Sequence, residues 1–245
     1  AEPRLELVAY RVERQETQIL RQTPILVLYG RLIDPNLQGG PGAHTPVGMN
    51  TIFIDLGAKE DAARRIQAVV NGHPYESRYT ELGDDDEDGY GPSEEVIAAI
   101  GTWFREVFTT KTPAEIDQTI EWGMLVHELA HKLYELSDAT YARDEFFGAP
   151  EDVVDDEAVE DESVAYLIEL ALHLQPVLSL ANALETWTSV DAEYPPELSA
   201  MYAYYGLRYA VNRTDGRSVE TWQDGTDVSA AIALVDALVR QPDAT

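Results

Sequence analysis

His127, Glu128 and His131 stand in the order His-Glu-x-x-His, inside a run from Gly123 to Leu133 that is patterned for a helix. On an α-helix, side chains four residues apart lie on one face, a single turn apart. Two neutral imidazoles so placed can grip one divalent ion, and Zn²⁺ suits them. Glu128 reaches the same space without binding the metal and can serve there as general base toward a water. The chemistry implied is metal-assisted hydrolysis, usually of a peptide bond. The chain has only 5 histidines, so a pair around a glutamate does not follow from a His-rich composition. Leu125, Val126, Leu129, Ala130 and Leu133 surround the motif and predict a buried helix. The competing reading is a satisfied pair of core histidines.

A catalytic zinc site takes three protein ligands and leaves the fourth position open. An extended pattern with Gly at 134 and His at 137 is excluded, because the chain has Tyr134 and Ser137. Asp138 lies about 10 Å along the axis from His131, too far to share the ion on an unbroken helix. The third ligand must come from another element, and the acidic stretch from Val153 to Leu172 offers carboxylates. Val153, Val164, Leu167, Ala171 and Leu174 share a helical face with Glu157 and Glu160. A carboxylate on an apolar face is costly unless it is paired or metal-bound. Carboxylates also favour the first turns of helices, which by itself explains Asp155 and Asp156.

The motif followed some tens of residues later by a helical Glu resembles the gluzincin metallopeptidases. Several of those families, including the ImmA/IrrE-type repressor-cleaving peptidases and the prenyl-protein type membrane endopeptidases, carry Glu-x-x-Ala-(Asn/Asp)-x-(aromatic)-Ala. Glu160-Asp161-Glu162-Ser163-Val164-Ala165-Tyr166-Leu167 is similar, with Val164 and Leu167 as departures. The resemblance is confined to two helices, about a fifth of the chain. It implies a Zn²⁺ peptidase with His127, His131 and Glu160 as ligands, Glu162 and then Glu157 as alternatives, and Glu128 as catalytic base. It also implies a peptide or protein substrate and a zincin-like α+β fold. The residue that would steady the oxyanion stays open among His173 and the run Met201–Tyr209, in which Tyr202, Tyr205 and Tyr209 share one stripe; a tyrosine stripe is more often packed core. A non-enzymatic zincin-like structural, assembly or regulatory protein is the alternative, although a retained general base has no structural use.

A second metal site is expected at Asp84-Asp85-Asp86-Glu87-Asp88-Gly89-Tyr90-Gly91-Pro92-Ser93-Glu94-Glu95. Asp84, Asp86, Asp88, the Tyr90 carbonyl and Glu95 fall on the ligand positions of a twelve-residue Ca²⁺ loop, with Gly89 at the sharp turn. Gly91 and Pro92 fit that pattern poorly, and a solvated acidic loop is the competing reading.

Charge sets the outer bounds. There are 17 basic and 45 acidic residues, net −28, so nucleic acid would be repelled. Lys59, Lys111 and Lys132 are the only lysines. An acidic, Lys-poor surface stays hydrated in concentrated salt, which points to a salt-adapted source; attraction of cationic substrates or Ca²⁺ competes. The acids are spread along the whole chain, which favours solvation. No run reaches the length of a membrane span. With no cysteine the compartment stays open, either the cytoplasm of a salt-adapted organism or outside the cell.

The element pattern divides the chain into a β-rich lobe with helices, 1–111, and a helical lobe, 112–245, with the metal between them. Leu5–Val12, Ile25–Tyr29 and Thr51–Leu56 read as strands. Zincins bind extended substrate along a sheet edge, and Thr51–Leu56 is the candidate edge, with a central strand equally compatible. The glycine-rich loop before it carries His44, expected at the surface. Helices are expected over Ala58–Val70, Ser93–Thr109, Thr112 to about Ser137, Glu151–Gln175, Pro176–Val190, Pro195–Val211 and Val228–Arg240.

Overall fold

The computed structural model of the protein describes residues 10–33, 43–46, 48–77, 92, 94–136, 165–166, 168–170, 172–188, 232–233, 235–236 and 239. Among these, an N-terminal sheet is followed by helices, an α+β arrangement. The strands are β1 (Tyr10–Leu20), β2 (Thr23–Leu32), β3 (Ala43–His44) and β4 (Thr51–Asp55). Their order in the sheet is β1-β2-β4-β3. The β1–β2 and β3–β4 pairs are antiparallel, and β2–β4 is parallel.

The hairpin is longer than its apolar pattern suggests. Of the strand expected over Leu5–Val12, residues 5–9 lie outside the described residues; β1 runs from Tyr10 on to Leu20, where Glu16, Thr17 and Gln18 pair with Val27, Leu26 and Ile25 while remaining polar. Arg21 and Gln22 both take positive φ, 47° and 68°, at the tight turn. That conformation normally calls for Asn or Gly, so the turn carries no sequence signal. β4 lies inside the sheet with β2 and β3 on either side, and β3 takes the edge instead.

The helices are α1 (Leu56–Val70), α2 (Glu94–Phe108), α3 (Pro113–Glu135) and α4 (Pro176–Thr188). The described residues of 165–172 are also helical, as are those of 232–239. The start of α3 follows from its sequence. Thr112 and Glu115 form a reciprocal capping box, and Pro113 occupies the first turn, where its missing N–H costs nothing. The expected helix over Pro195–Val211 lies outside the described residues, as does most of Glu151–Gln175.

Alternation places Ile25, Val27 and Tyr29 of β2 and Ile52 and Ile54 of β4 on one face, each nearly sealed from solvent. Leu125 of α3 packs into this layer, with Leu129 beside it. A second cluster joins Ile66, Trp103, Phe108, Ile116, Ile120 and Leu184, drawn from α1, α2, α3 and α4. Met124 touches both clusters, so α3 lies between the sheet and the other helices. Lys59 of α1 reaches Asp117 and Glu121 of α3 at 2.8 and 3.1 Å. No helix among the described residues is long and apolar enough to cross a membrane.

Leu125 is the buried apolar contact of α3 with the sheet, two residues before the motif. Leu125→Ala should lower unfolding stability by about 3 kcal/mol, the usual cost of a cavity at a buried leucine, read from urea denaturation. A change below about 1 kcal/mol would show that the sheet does not hold α3 at this point.

Candidate metal centre

α3 has turned His127 and His131 to one side, as their spacing requires. Their Nε2 atoms lie 3.2 Å apart, and the rings meet nearly at right angles, 80°, with centroids 4.8 Å apart. Tetrahedral Zn²⁺ with ordinary Zn–N bonds holds two nitrogens about 3.3 Å apart. The pair therefore has the spacing of two metal ligands. Glu128 completes a group in which one donor atom from each of the three residues lies within 4.8 Å of the others. The arrangement could hold a metal.

The tautomer of His127 follows from its neighbour. Its Nδ1 lies 3.1 Å from Glu169 Oε2. A carboxylate can only accept, so Nδ1 carries the proton and Nε2 keeps its lone pair for the shared space. Tyr166 packs edge-on against the same ring at 4.8 Å. Glu169 is itself fixed, since Ser179 Oγ of α4 donates to its Oε1 at 2.6 Å. Burial pushes the Glu169 carboxyl up, but the hydrogen bonds from His127 and Ser179 oppose it, and the carboxyl is held below the usual range.

His173 stands behind this carboxylate. The Gln175 N–H donates to its Nδ1 at 2.9 Å, so Nε2 carries the ring proton, 3.9 Å from Glu169 Oε1. Burial drives its pKa down, with Glu169 opposing. As an expected oxyanion candidate, His173 sits instead against Gly123. A Cβ built on Gly123 would lie 2.3 Å from His173 Nε2. The glycine is what lets the two elements approach.

Glu128 is 4% exposed. A carboxylate so enclosed needs partners, and Thr45 Oγ1 donates to its Oε2 at 2.6 Å. Thr45 belongs to the segment after β3 that crosses α3. His44, expected at the surface, is half-buried instead. Its ring stacks on Phe53 at 5.3 Å and approaches Tyr10 at 6.2 Å. The glycine-rich loop thus ends in an edge strand, and pairing with β4 draws its histidine inward.

The expected third ligands Glu160, Glu162 and Glu157 lie outside the described residues, as do Tyr202, Tyr205 and Tyr209. So do Asp84, Asp86, Asp88 and Tyr90 of the expected Ca²⁺ loop; Glu95 is an exposed residue in the first turn of α2. Of the face expected to be buried after the acidic stretch, Leu174 is corrected, while Val153, Val164, Leu167 and Ala171 lie outside the described residues. Leu174 is 53% exposed and Leu172 58%, whereas Ala165, Glu169, Leu170 and His173 are buried. Apolar periodicity does not select Glu169 and His173, polar groups buried with partners of their own: His127 and Ser179 for Glu169, the Gln175 N–H for His173. Sequence reasoning thereby missed Glu169. The available signal was the spacing Tyr166, Glu169, His173, three and four residues apart.

No protein-family model matches the chain, and neither curated proteins nor solved structures yield a match.

Gly123→Ala tests the orienting layer. It should lower the thermal midpoint and weaken metal binding about tenfold to a hundredfold, the usual effect of disturbing a ligand's hydrogen-bond partner, read by competition with a zinc-binding dye. A folded variant with full affinity would show that Glu169 does not depend on this close approach.

Proposed function

We propose that the protein is a zinc-dependent metallopeptidase of zincin-like fold, with His127 and His131 as metal ligands and Glu128 as general base. The observation that carries this reading is the convergence of both Nε2 atoms beside a buried carboxylate. When bound, Zn²⁺ would supply a Lewis acid that lowers the pKa of water toward ~7 and polarises the scissile carbonyl. His127 presents Nε2 because Glu169 holds its Nδ1 proton. Glu128 takes the proton from the attacking water on a carboxylate oxygen and passes it to the leaving amine, so the base is restored. The enclosed setting limits competing water around that carboxylate.

A third carboxylate completes the set in this reading, and helical spacing bears on which one. Position 162 is four residues before Tyr166 and seven before Glu169. If the helix carrying those two extends back to it, all three share a stripe. Position 160 would then face about 180° away from Glu169. The residues that mark depth agree on direction: Trp122 Nε1 donates to the Leu172 carbonyl, Gly123 meets His173, and His127 meets Glu169 and Tyr166. The described residues of the two elements run antiparallel, so a helix continued back from Tyr166 would head toward His131. On that condition helical spacing favours Glu162, whereas the motif resemblance favours Glu160, with Glu157 third in either case.

Two measurements test the proposal. Glu128→Gln should retain one zinc per chain and lose peptide hydrolysis by at least about a hundredfold, whereas His127→Ala should lose both; unchanged turnover in Glu128→Gln would overturn the mechanism. For the third ligand, Glu162→Ala should purify with depleted zinc and Glu160→Ala with a full complement, by elemental analysis. The opposite pattern would restore Glu160.

A further inference from the structure

The segment after β3 is fastened to α3 at successive turns of one stripe. Thr45 Oγ1 donates to Glu128 Oε2 at 2.6 Å. Lys132 Nζ donates to the Pro46 carbonyl at 3.0 Å. The Gly48 N–H donates to Glu135 Oε1 at 2.9 Å, and Lys132 also pairs with Glu135. Positions 128, 132 and 135 are four and three residues apart, which sets them in one row along the helix.

This strap is held on its other side as well. Ala43 and His44 pair with Ile54 and Phe53 of β4, and the His44 ring stacks on Phe53. The Met49 N–H donates to the Pro46 carbonyl at 3.2 Å, closing a turn in which Gly48 has φ of 74°. A side chain at that position would be strained. Lys132 is fully buried, so its ammonium is committed to the strap and to Glu135. Thr45 is therefore placed by the sheet before it and by a buried lysine after it.

We propose that Thr45 is a positioning residue for Glu128, acting through the hydroxyl that holds Oε2 and so fixes the rotation of the carboxylate about its Cγ–Cδ bond. The proposal rests on the peptidase reading for its kinetic consequence. A carboxylate needs one orientation to take a proton from water and return it to an amine, and small misplacements of such groups are costly in rate. Thr45 Oγ1 lies 3.4 Å from the Glu128 carbonyl, a much longer approach, so the hydroxyl proton goes to the carboxylate. A hydroxyl that only satisfied a buried acid would leave kcat and KM in proportion.

The test compares Thr45→Val, which keeps shape and removes the donor, with Thr45→Ser, which keeps the donor. In the full chain with zinc bound, Thr45→Val should retain its metal and KM within about twofold while kcat falls between about tenfold and a hundredfold. Thr45→Ser should recover kcat to within about threefold of the original protein. A second readout needs no turnover. Thr45→Val should lower the thermal midpoint of the original chain but not of a Glu128→Leu chain, where no acceptor remains. Unchanged kcat in Thr45→Val, a rise in kcat, equal loss in both variants, or the same thermal shift in both backgrounds would each overturn the proposal. If the original protein binds zinc and cleaves no peptide, the peptidase reading fails and the kinetic role of Thr45 fails with it; the thermal comparison then still decides whether the pair is coupled.

Discussion

Enclosure of α3 is the constraint on which the remaining structure turns. Sheet residues cover Leu125, the helical core covers Ile116 and Ile120, and the 165–173 segment covers His127. A strap covers Glu128 and Lys132. A helix buried on so many sides is normally apolar all round. This one carries polar groups on two of its faces, and each must find a partner or carry a desolvation cost of several kcal/mol. The partners found are specific ones: Glu169 for His127, Thr45 for Glu128, and the Pro46 carbonyl with Glu135 for Lys132. Placing the motif helix in the interior thus dictates much of what the neighbouring segments must contribute.

Those partners also sort the two faces by role. On one, Ser179 fixes Glu169, Glu169 fixes the proton of His127, and His127 is left with a lone pair directed at the place where His131 also points. Each link removes one freedom: a hydroxyl position, a tautomer, a ring rotation. On the other face, the strap fixes a carboxylate and buries a lysine. Two of the three lysines in the chain, Lys59 and Lys132, are buried and anchor α3. In a protein with net charge −28, lysine persists where an ammonium ties elements together and is scarce elsewhere. That pattern agrees with an acidic surface serving hydration.

Legibility in the sequence followed the locality of each signal. The capping box of Thr112 and Glu115, the start of α3 and the shared face of His127 and His131 depend on neighbours within a few residues, and all were readable. α1, α2, β2 and β4 were readable from periodicity and β-branched content. The β1–β2 turn was not, because Arg21 and Gln22 adopt a left-handed conformation that their types do not announce. β3 was hidden because two residues carry no periodicity. Glu169 and Thr45 were hidden for a deeper reason. Their roles come from elements brought together in space, 42 and 83 residues from their partners, and no spacing rule spans that distance. The same limit explains why Leu174 was expected inside. It looks inward by composition, but the buried groups are Glu169 and His173, which Ser179, Gln175 and His127 are there to meet.

The competing account, a hydrogen-bonded histidine pair in a core, can be weighed on these contacts. Nε2 atoms 3.2 Å apart suit an N–H···N bond as well as they suit a shared ion. Such a pair would require nothing further from its surroundings. Here a carboxylate on the outer nitrogen of His127 leaves its Nε2 as an acceptor, and a second carboxylate is buried within 4.8 Å with a hydroxyl assigned to it. Burying two acids to support one neutral N–H···N contact would cost more than the contact returns, since such a bond contributes about 1 kcal/mol net. The His127 lone pair and the Glu128 carboxylate converge with His131 in one enclosed space, a grouping that could hold a metal.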